Sequence, residues 1–80
     1  MSAKRGARGS PSSVGALLNR AMQAHKAGDL VTAQALYTKV ILVSPRQFAA
    51  LYALGVSYCQ QGQHARGLPL LQKALAIRPD

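Results

Sequence analysis

The stretch GDLVTAQALYTKVILVSP, residues 28–45, decides the fold because its pattern returns further along the chain. Its turn-forming and helix-face positions recur after 34 residues, pairing Gly28 with Gly62, Leu36 with Leu70, Lys39 with Lys73, and Pro45 with Pro79. A fixed period of this length is typical of stacked helical repeats. We therefore expect two copies of one structural unit.

The first half of the chain predicts two helices, since apolar residues recur there at three- and four-residue steps. Ser12 or Ser13 can cap the start of the first helix, and Gly28 can end it in the left-handed conformation. Asp29 can cap the second helix. That helix should stop near Val43, because a residue before proline disfavours the helical conformation.

The second half predicts two more helices. Ser44 and Pro45 are expected to cap and open the third helix, which ends near Gly62. Helices joined by such short turns must lie antiparallel, and each pair keeps an apolar face that only a neighbouring pair can cover. The predicted fold is all-α, an α-solenoid of four antiparallel helices in two units, 14–47 and 48–80.

The fourth helix, over about 64–77, contains two helix-disfavouring residues. Gly67 and Pro69 both fall within its first two turns. A proline in a helix interior costs up to about 3 kcal/mol. We therefore expect a bent or late-starting helix that is regular only after Leu70.

Composition limits the classes of partner. The chain has ten Lys and Arg against two Asp, a net charge of +8, which favours acidic partners. The one cationic cluster, Lys4, Arg5 and Arg8, lies in residues 1–13, which we expect to be a disordered basic tail because they lack apolar periodicity. Three charges on a tail give only weak, salt-sensitive binding. Nucleic-acid binding through this tail is therefore an alternative, and a solvated tail is the simpler interpretation.

The sequence also indicates a compartment. Cys59 is the lone cysteine, which rules out an internal disulfide and fits a reducing environment. No apolar run approaches the roughly 18 residues of a membrane span. Residues 9–13 are polar where a signal peptide would be apolar. We expect a cytoplasmic protein without membrane attachment, with an organelle transit sequence in the acid-free first 28 residues as the alternative.

These features over residues 14–80 resemble the tetratricopeptide repeat (TPR) family, whose small residues let paired helices approach closely. The repeat-defining structural positions are Gly28, Ala33, Tyr37, Pro45, Leu51, Leu54, Gly55, Tyr58, Gly62, Gly67, Ala74 and Pro79. Three positions depart from the family pattern. Gly67 stands where alanine is usual, and Arg20 and Ala24 give the first helix the more polar face that suits the start of a stack.

The resemblance implies a non-catalytic scaffold that holds a peptide or a partner helix in a concave groove. The first helix of each unit would line that groove. Carried over by position, the groove residues are Leu18, Asn19, Met22, His25, Lys26, Tyr52, Ala53, Val56, Cys59 and Gln60. Some relatives hold a terminal carboxylate with Lys and Asn, but those places here hold Leu18, Met22 and Val56. An apolar ligand segment fits better, with the flexible Met22 adapting to its shape.

The residues are also similar to TPR segments that precede O-linked N-acetylglucosamine transferase-like domains in bacteria. Asn19 fits the asparagine ladder of such grooves, whereas Ala53 does not. An accessory segment of a larger glycosyltransferase-like enzyme is therefore an alternative function.

Neither a metal site nor catalysis is predicted. His25 and Cys59 lie 34 residues apart and occupy the same place in adjacent units. Two ligands nevertheless fall short of the four that a structural zinc requires, so both are expected to be groove or packing residues. Asp29 and Asp80 are the only carboxylates, and no catalytic constellation or phosphate-binding loop is present. We expect no cofactor and no enzyme activity.

The fourth helix carries a further prediction. Leu68, Leu71 and Leu75 are spaced along it, and end units of a repeat stack normally carry a polar outer face. We therefore expect either a longer array or self-association through this helix.

Overall fold

The computed structural model describes residues 13–78, which form four α-helices and no strand. They are α1 (Ser13–Lys26), α2 (Leu30–Val43), α3 (Phe48–Gln60) and α4 (His64–Ile77). The all-α prediction is confirmed. No helix of this range is long and apolar enough to cross a membrane. The predicted basic tail up to residue 12, the predicted cap Ser12, and both Pro79 and Asp80 lie outside the described residues, while Ser13 is the first residue of α1.

Two glycines end α1 and α3 in the same way. Gly28 and Gly62 have φ angles of 84° and 80°, the left-handed region that glycine enters without a side-chain clash. The N–H of Gly28 donates to the His25 carbonyl at 3.0 Å, and that of Asp29 to the Ala24 carbonyl at 2.9 Å. Gly62 and the residue after it repeat this pattern. Each hairpin is therefore closed by a Schellman motif.

The predicted cap of the second helix is confirmed. Asp29 is the N-cap residue of α2, and its Oδ1 accepts the backbone N–H of Thr32 at 3.2 Å. A carboxylate at this place satisfies one of the open amides of the first turn and interacts favourably with the helix dipole.

The predicted start of the third helix is wrong. Ser44 ends α2, donating its N–H to the Val40 carbonyl at 2.7 Å, and Pro45 lies in the connecting turn. The N–H of Gln47 donates to the Ser44 carbonyl at 3.1 Å, which closes a four-residue turn. Proline has a fixed φ that suits the second position of such a turn, so α3 begins only at Phe48.

The prediction that α4 becomes regular only after Leu70 is also wrong. The helix runs from His64 and contains Pro69, and the Gly67 N–H donates to the Gln63 carbonyl at 3.0 Å. Pro69 removes the hydrogen bond to the carbonyl four residues earlier, that of Ala65. Ala65 is exposed, so water can reach this carbonyl and the first turns persist.

The two hairpins, α1–α2 and α3–α4, share one core because α2 packs against α3. Tyr37, Leu51 and Val40 are the largest fully buried apolar side chains. One buried cluster extends from α1 through α2 into α3 and comprises Ala21, Ala33, Leu36, Tyr37, Val40, Ala50 and Leu54. Each hairpin therefore buries its apolar face against the other, as stacking requires.

Candidate functional site

A concave cleft lies where α1, α2 and the start of α3 meet. Its volume is about 400 Å³, within the range of ligand-sized pockets. Its lining residues are mostly apolar: Leu18, Met22, Tyr37, Gln47, Phe48, Ala49, Tyr52, Ala53 and Arg78. Met22 and Tyr52 are 51% and 52% exposed, so large apolar side chains face the open space.

A second cleft of about 340 Å³ continues the first. It is lined by Met22, His25, Lys26 and Tyr37, and it shares Met22 and Tyr37 with its neighbour. We call the surface formed by both clefts the groove. A continuous groove can hold an extended peptide or one face of a helix.

Aromatic contacts fix the shape of the groove. Phe48 and Tyr52, one helical turn apart on α3, stack with ring centroids 5.7 Å apart and planes at 13°. The rings of His25 and Tyr37 make a T-shaped contact, with centroids 6.4 Å apart. Burial raises the pKa of Tyr37 above its ordinary value, because the phenolate would lose hydration, so the ring stays neutral at physiological pH.

The groove is positively charged. Lys26 lines the second cleft, and Arg78 lines the first. The Arg78 guanidinium carbon lies 4.7 Å from the centroid of the Phe48 ring, within cation–π distance. Asp29 is the only acidic residue in 13–78, and it is engaged in capping α2.

The structure brings together six of the ten groove residues proposed from the sequence. Leu18, Met22, His25, Lys26, Tyr52 and Ala53 line the clefts. The two clefts are not lined by Asn19, Val56, Cys59 or Gln60. The Cys59 sulfur instead lies against α4, 2.6 Å from where a β-carbon on Gly67 would stand.

Sequence reasoning missed Tyr37, Gln47, Phe48, Ala49 and Arg78. The four-residue spacing of Phe48 and Tyr52 was a usable signal, since such a pair lies on one helix face. Arg78 had no local signal, because only the packing of α4 beside α3 brings its side chain over Phe48.

The pair considered for a metal does not share an environment. His25 lies against Tyr37, whereas Cys59 lies against Gly67. Within residues 13–78, no group of three or more His, Cys, Asp or Glu side chains could hold a metal ion.

The three leucines considered for self-association divide into two environments. Leu68 and Leu75 are 50% and 58% exposed, and we call the surface they form the α4 edge. Leu71 is only partly exposed, and its side chain lies about 2.8 Å from where a β-carbon on Gly55 would stand. Leu71 therefore packs within its own hairpin.

A polar network joins the two hairpins. The Gln34 amide donates to the hydroxyl of Ser57 at 2.8 Å and to Gln61 Oε1 at 3.0 Å. Gln63 donates to the same oxygen at 3.2 Å and accepts from Arg66 at 3.2 Å. Ser57 is fully buried, so its bond with Gln34 offsets a desolvation cost.

The comparison with protein families agrees with this geometry. The tetratricopeptide repeat family matches residues 24–80, more than half of the chain. The chain belongs to the tetratricopeptide repeat family. Its paired helices, Schellman-closed hairpins and shared core are the features by which TPR units stack.

A solved structure has the same arrangement. A mutant O-GlcNAc transferase from Thermobaculum terrenum superposes with a TM-score of 0.81 at 26% identity, over 99% of this chain. The chain spans 14% of the length of that enzyme. No curated protein sequence matches the chain.

Proposed function

We propose that this chain is a non-catalytic protein-interaction module that holds a peptide or a partner helix in the groove. The supporting observation is the continuous apolar cleft lined by Met22 and Tyr52, both half exposed. Apolar and aromatic side chains that stay accessible in a concave surface are the usual anchors of peptide recognition. The flexible thioether of Met22 can adapt to more than one ligand side chain.

The groove is suited to binding and not to catalysis. Its ionisable residues are His25, Lys26, Tyr37, Tyr52 and Arg78. Within residues 13–78 the groove lining contains no Ser, Thr, Cys, Asp or Glu, so it has no hydroxyl or thiol nucleophile paired with a base. Its one histidine, His25, contacts the Tyr37 ring. TPR units generally act as interaction modules, and this groove fits that role.

A peptide library displayed on phage tests the proposal. Peptides selected on the wild-type protein should bind at least tenfold more weakly to Met22→Asp, because the added charge lies where an apolar anchor must be desolvated. Leu42→Asp is the matched control, since Leu42 is 76% exposed on α2 and lies outside the groove. Equal affinity of both variants and the wild type for the selected peptides would overturn the proposal.

A second candidate is an accessory segment of a larger glycosyltransferase-like enzyme. The superposition on part of an O-GlcNAc transferase favours it. The test is the size of the native protein in its own cells, probed with an antibody raised against residues 13–78. A product of 80 residues would refute this candidate, whereas a much longer product with a transferase domain would support it.

The α4 edge supports a further proposal, that two copies associate through it. Repeat spacing places Leu68 and Leu75 where α2 has Gln34 and Ile41, and both α2 residues are partly covered in the stack. The opposite end of the stack exposes Arg20 and other polar side chains on α1. Pairing of α4 with α4 is therefore favoured over head-to-tail contact, because it matches apolar surface with apolar surface.

Sedimentation equilibrium tests this association. The wild type should be partly dimeric, and Leu68→Glu with Leu75→Glu should return it to the monomer, since like charges would meet across the symmetric contact. Leu42→Asp should leave the equilibrium unchanged. A wild-type protein that stays monomeric at high concentration would refute the proposal.

A further inference from the structure

We infer that the groove selects a segment in which an apolar anchor is flanked by acidic residues. This inference rests on the proposed function and names the partner chemistry. The combination of Arg78 held against Phe48, a second cation at Lys26, and an apolar floor between them points to it.

Arg78 is arranged to receive a carboxylate. Its guanidinium lies over the Phe48 ring at 4.7 Å, and Phe48 is itself stacked on Tyr52. A cation–π contact does not use up the N–H donors of the guanidinium, which stay available to a bound partner. Those donors match a carboxylate in two parallel hydrogen bonds. The stacking also limits the side-chain entropy lost on binding.

The second cation lies at the neighbouring cleft. Lys26 lines it together with His25, while Arg78 lines the first cleft. Met22 and Tyr37 belong to both clefts and provide the apolar surface that the two share. A bound segment would therefore meet positive charge, apolar surface and positive charge again along the groove.

Charge complementarity decides between possible occupants. Residues 13–78 contain seven Lys and Arg and one Asp, and that Asp29 accepts the N–H of Thr32 outside the clefts. A basic segment would be repelled by Lys26 and Arg78, and among residues 13–78 the groove lining contains no carboxylate to offset this repulsion. A purely apolar segment would leave Lys26 and Arg78 without an anionic partner. An apolar segment flanked by acidic residues complements both the apolar surface of the groove and its two cations.

Fluorescence anisotropy with three labelled peptides tests the inference. The first is Gly-Asp-Asp-Leu-Met-Leu-Asp-Asp-Gly, and the other two replace each Asp with Ser or with Lys. The Asp peptide should bind most tightly and the Lys peptide most weakly, with an affinity for the Asp peptide that falls as salt is raised.

Single-charge variants then locate the effect. Arg78→Gln and Lys26→Gln should each weaken the Asp peptide by about two- to fivefold, the fold-change that an exposed ion pair supports, and leave the Ser peptide unchanged. Arg78→Lys should keep part of the preference, because it retains the charge but loses the planar fork. Lys39→Gln is the control, since it removes the same charge from α2 outside the groove.

The outcomes separate this inference from the proposed function. Equal binding of all three peptides, or equal loss in Lys39→Gln and Arg78→Gln, would overturn the acidic preference and leave groove binding intact. If none of the three peptides binds while library peptides still bind through Met22, the inference is again wrong. If the library selection also yields no binding peptide, both the proposed peptide-binding function and the acidic preference are wrong.

Discussion

The two hairpins have the same register but different small residues at the contact between their helices. In the first hairpin these positions hold Ala21 and Ala33, which are fully buried in one cluster. The equivalent residues of the second hairpin are Gly55 and Gly67. One repeat pattern therefore accommodates either alanine or glycine at these two positions.

The glycines of the second hairpin are required by space. A β-carbon on Gly67 would lie 2.6 Å from the Gly55 carbonyl oxygen and 2.6 Å from the Cys59 sulfur. A β-carbon on Gly55 would lie 2.8 Å from the Leu71 side chain and 3.0 Å from the Gly67 carbonyl oxygen. The backbones of α3 and α4 are thus too close for a methyl group between them.

This difference explains why glycine is tolerated inside α4. Glycine disfavours a helix interior by about 1 kcal/mol relative to alanine. Close backbone approach adds dispersion contacts along both helices that offset this cost. A residue with a low helix propensity can therefore mark a close contact between two helices.

Gly67→Ala is expected to destabilise the protein. The gain in helix propensity, about 1 kcal/mol, is opposed by overpacking of about 1–3 kcal/mol, because the Gly55 carbonyl belongs to a helix backbone and cannot move freely. We expect a net loss of stability, with each kcal/mol lowering the melting temperature by about 4–8 °C. Thermal denaturation followed by circular dichroism measures it.

Gly15→Ala supplies the matched control. Gly15 lies exposed in α1, with nothing within 4 Å of a built β-carbon. The same chemical change should therefore raise the melting temperature, since only the propensity term acts. If Gly67→Ala also raised it, the claim of close contact in the second hairpin would be wrong.

The fold was largely predictable because its signals are local. Gly28 and Gly62 end helices, and Asp29 caps one, through hydrogen bonds within five residues along the chain. The 34-residue period indicates that one set of local signals occurs twice. The continuity of α4 was not predictable, because it depends on how tightly Gly67 packs against α3 and on water reaching the Ala65 carbonyl. Sequence spacing contains neither quantity.

The groove was predictable only in part. Positions transferred from the repeat pattern gave Leu18, Met22 and Tyr52, since helix periodicity fixes which residues share a face. Cys59 was assigned to the groove but faces α4 because Gly67 leaves space there. Arg78 requires the three-dimensional path of α4, which returns its end beside Phe48.

The two hairpins also differ in the polar contacts of their second helices, α2 and α4. Gln34 connects α2 to the buried Ser57 of α3, whereas its equivalent on α4 is the exposed Leu68. Gln34→Ala should destabilise the protein by about 1–3 kcal/mol, because the buried hydroxyl loses its donor. Chemical denaturation with urea measures the change.

A double-mutant cycle identifies the cause. Once Gln34 is alanine, adding Ser57→Ala should recover much of the loss, since no unpaired buried hydroxyl then remains. Strictly additive losses would contradict a direct coupling between these two residues.

The smallest effect on stability is expected at the N-caps of α2 and α4, which differ between the two hairpins. Asp29 caps α2 with its side chain, while Gln63 holds the same place at α4 without a side-chain cap bond. Hydrogen bonding from Thr32, through its hydroxyl and then its backbone N–H, lowers the pKa of Asp29 from its ordinary 3.8. Because the pKa is lowered in the folded state, the charged cap stabilises the protein at pH values above the ordinary pKa, and this contribution disappears as the pH falls through the lowered pKa.

The melting temperature of Asp29→Ala should therefore be below that of the wild type at pH 7, and the difference between the two should narrow towards pH 3. For Gln63→Ala, the difference in melting temperature from the wild type should not vary with pH. A constant difference for Asp29→Ala across this range would mean that its charge does not contribute to the cap.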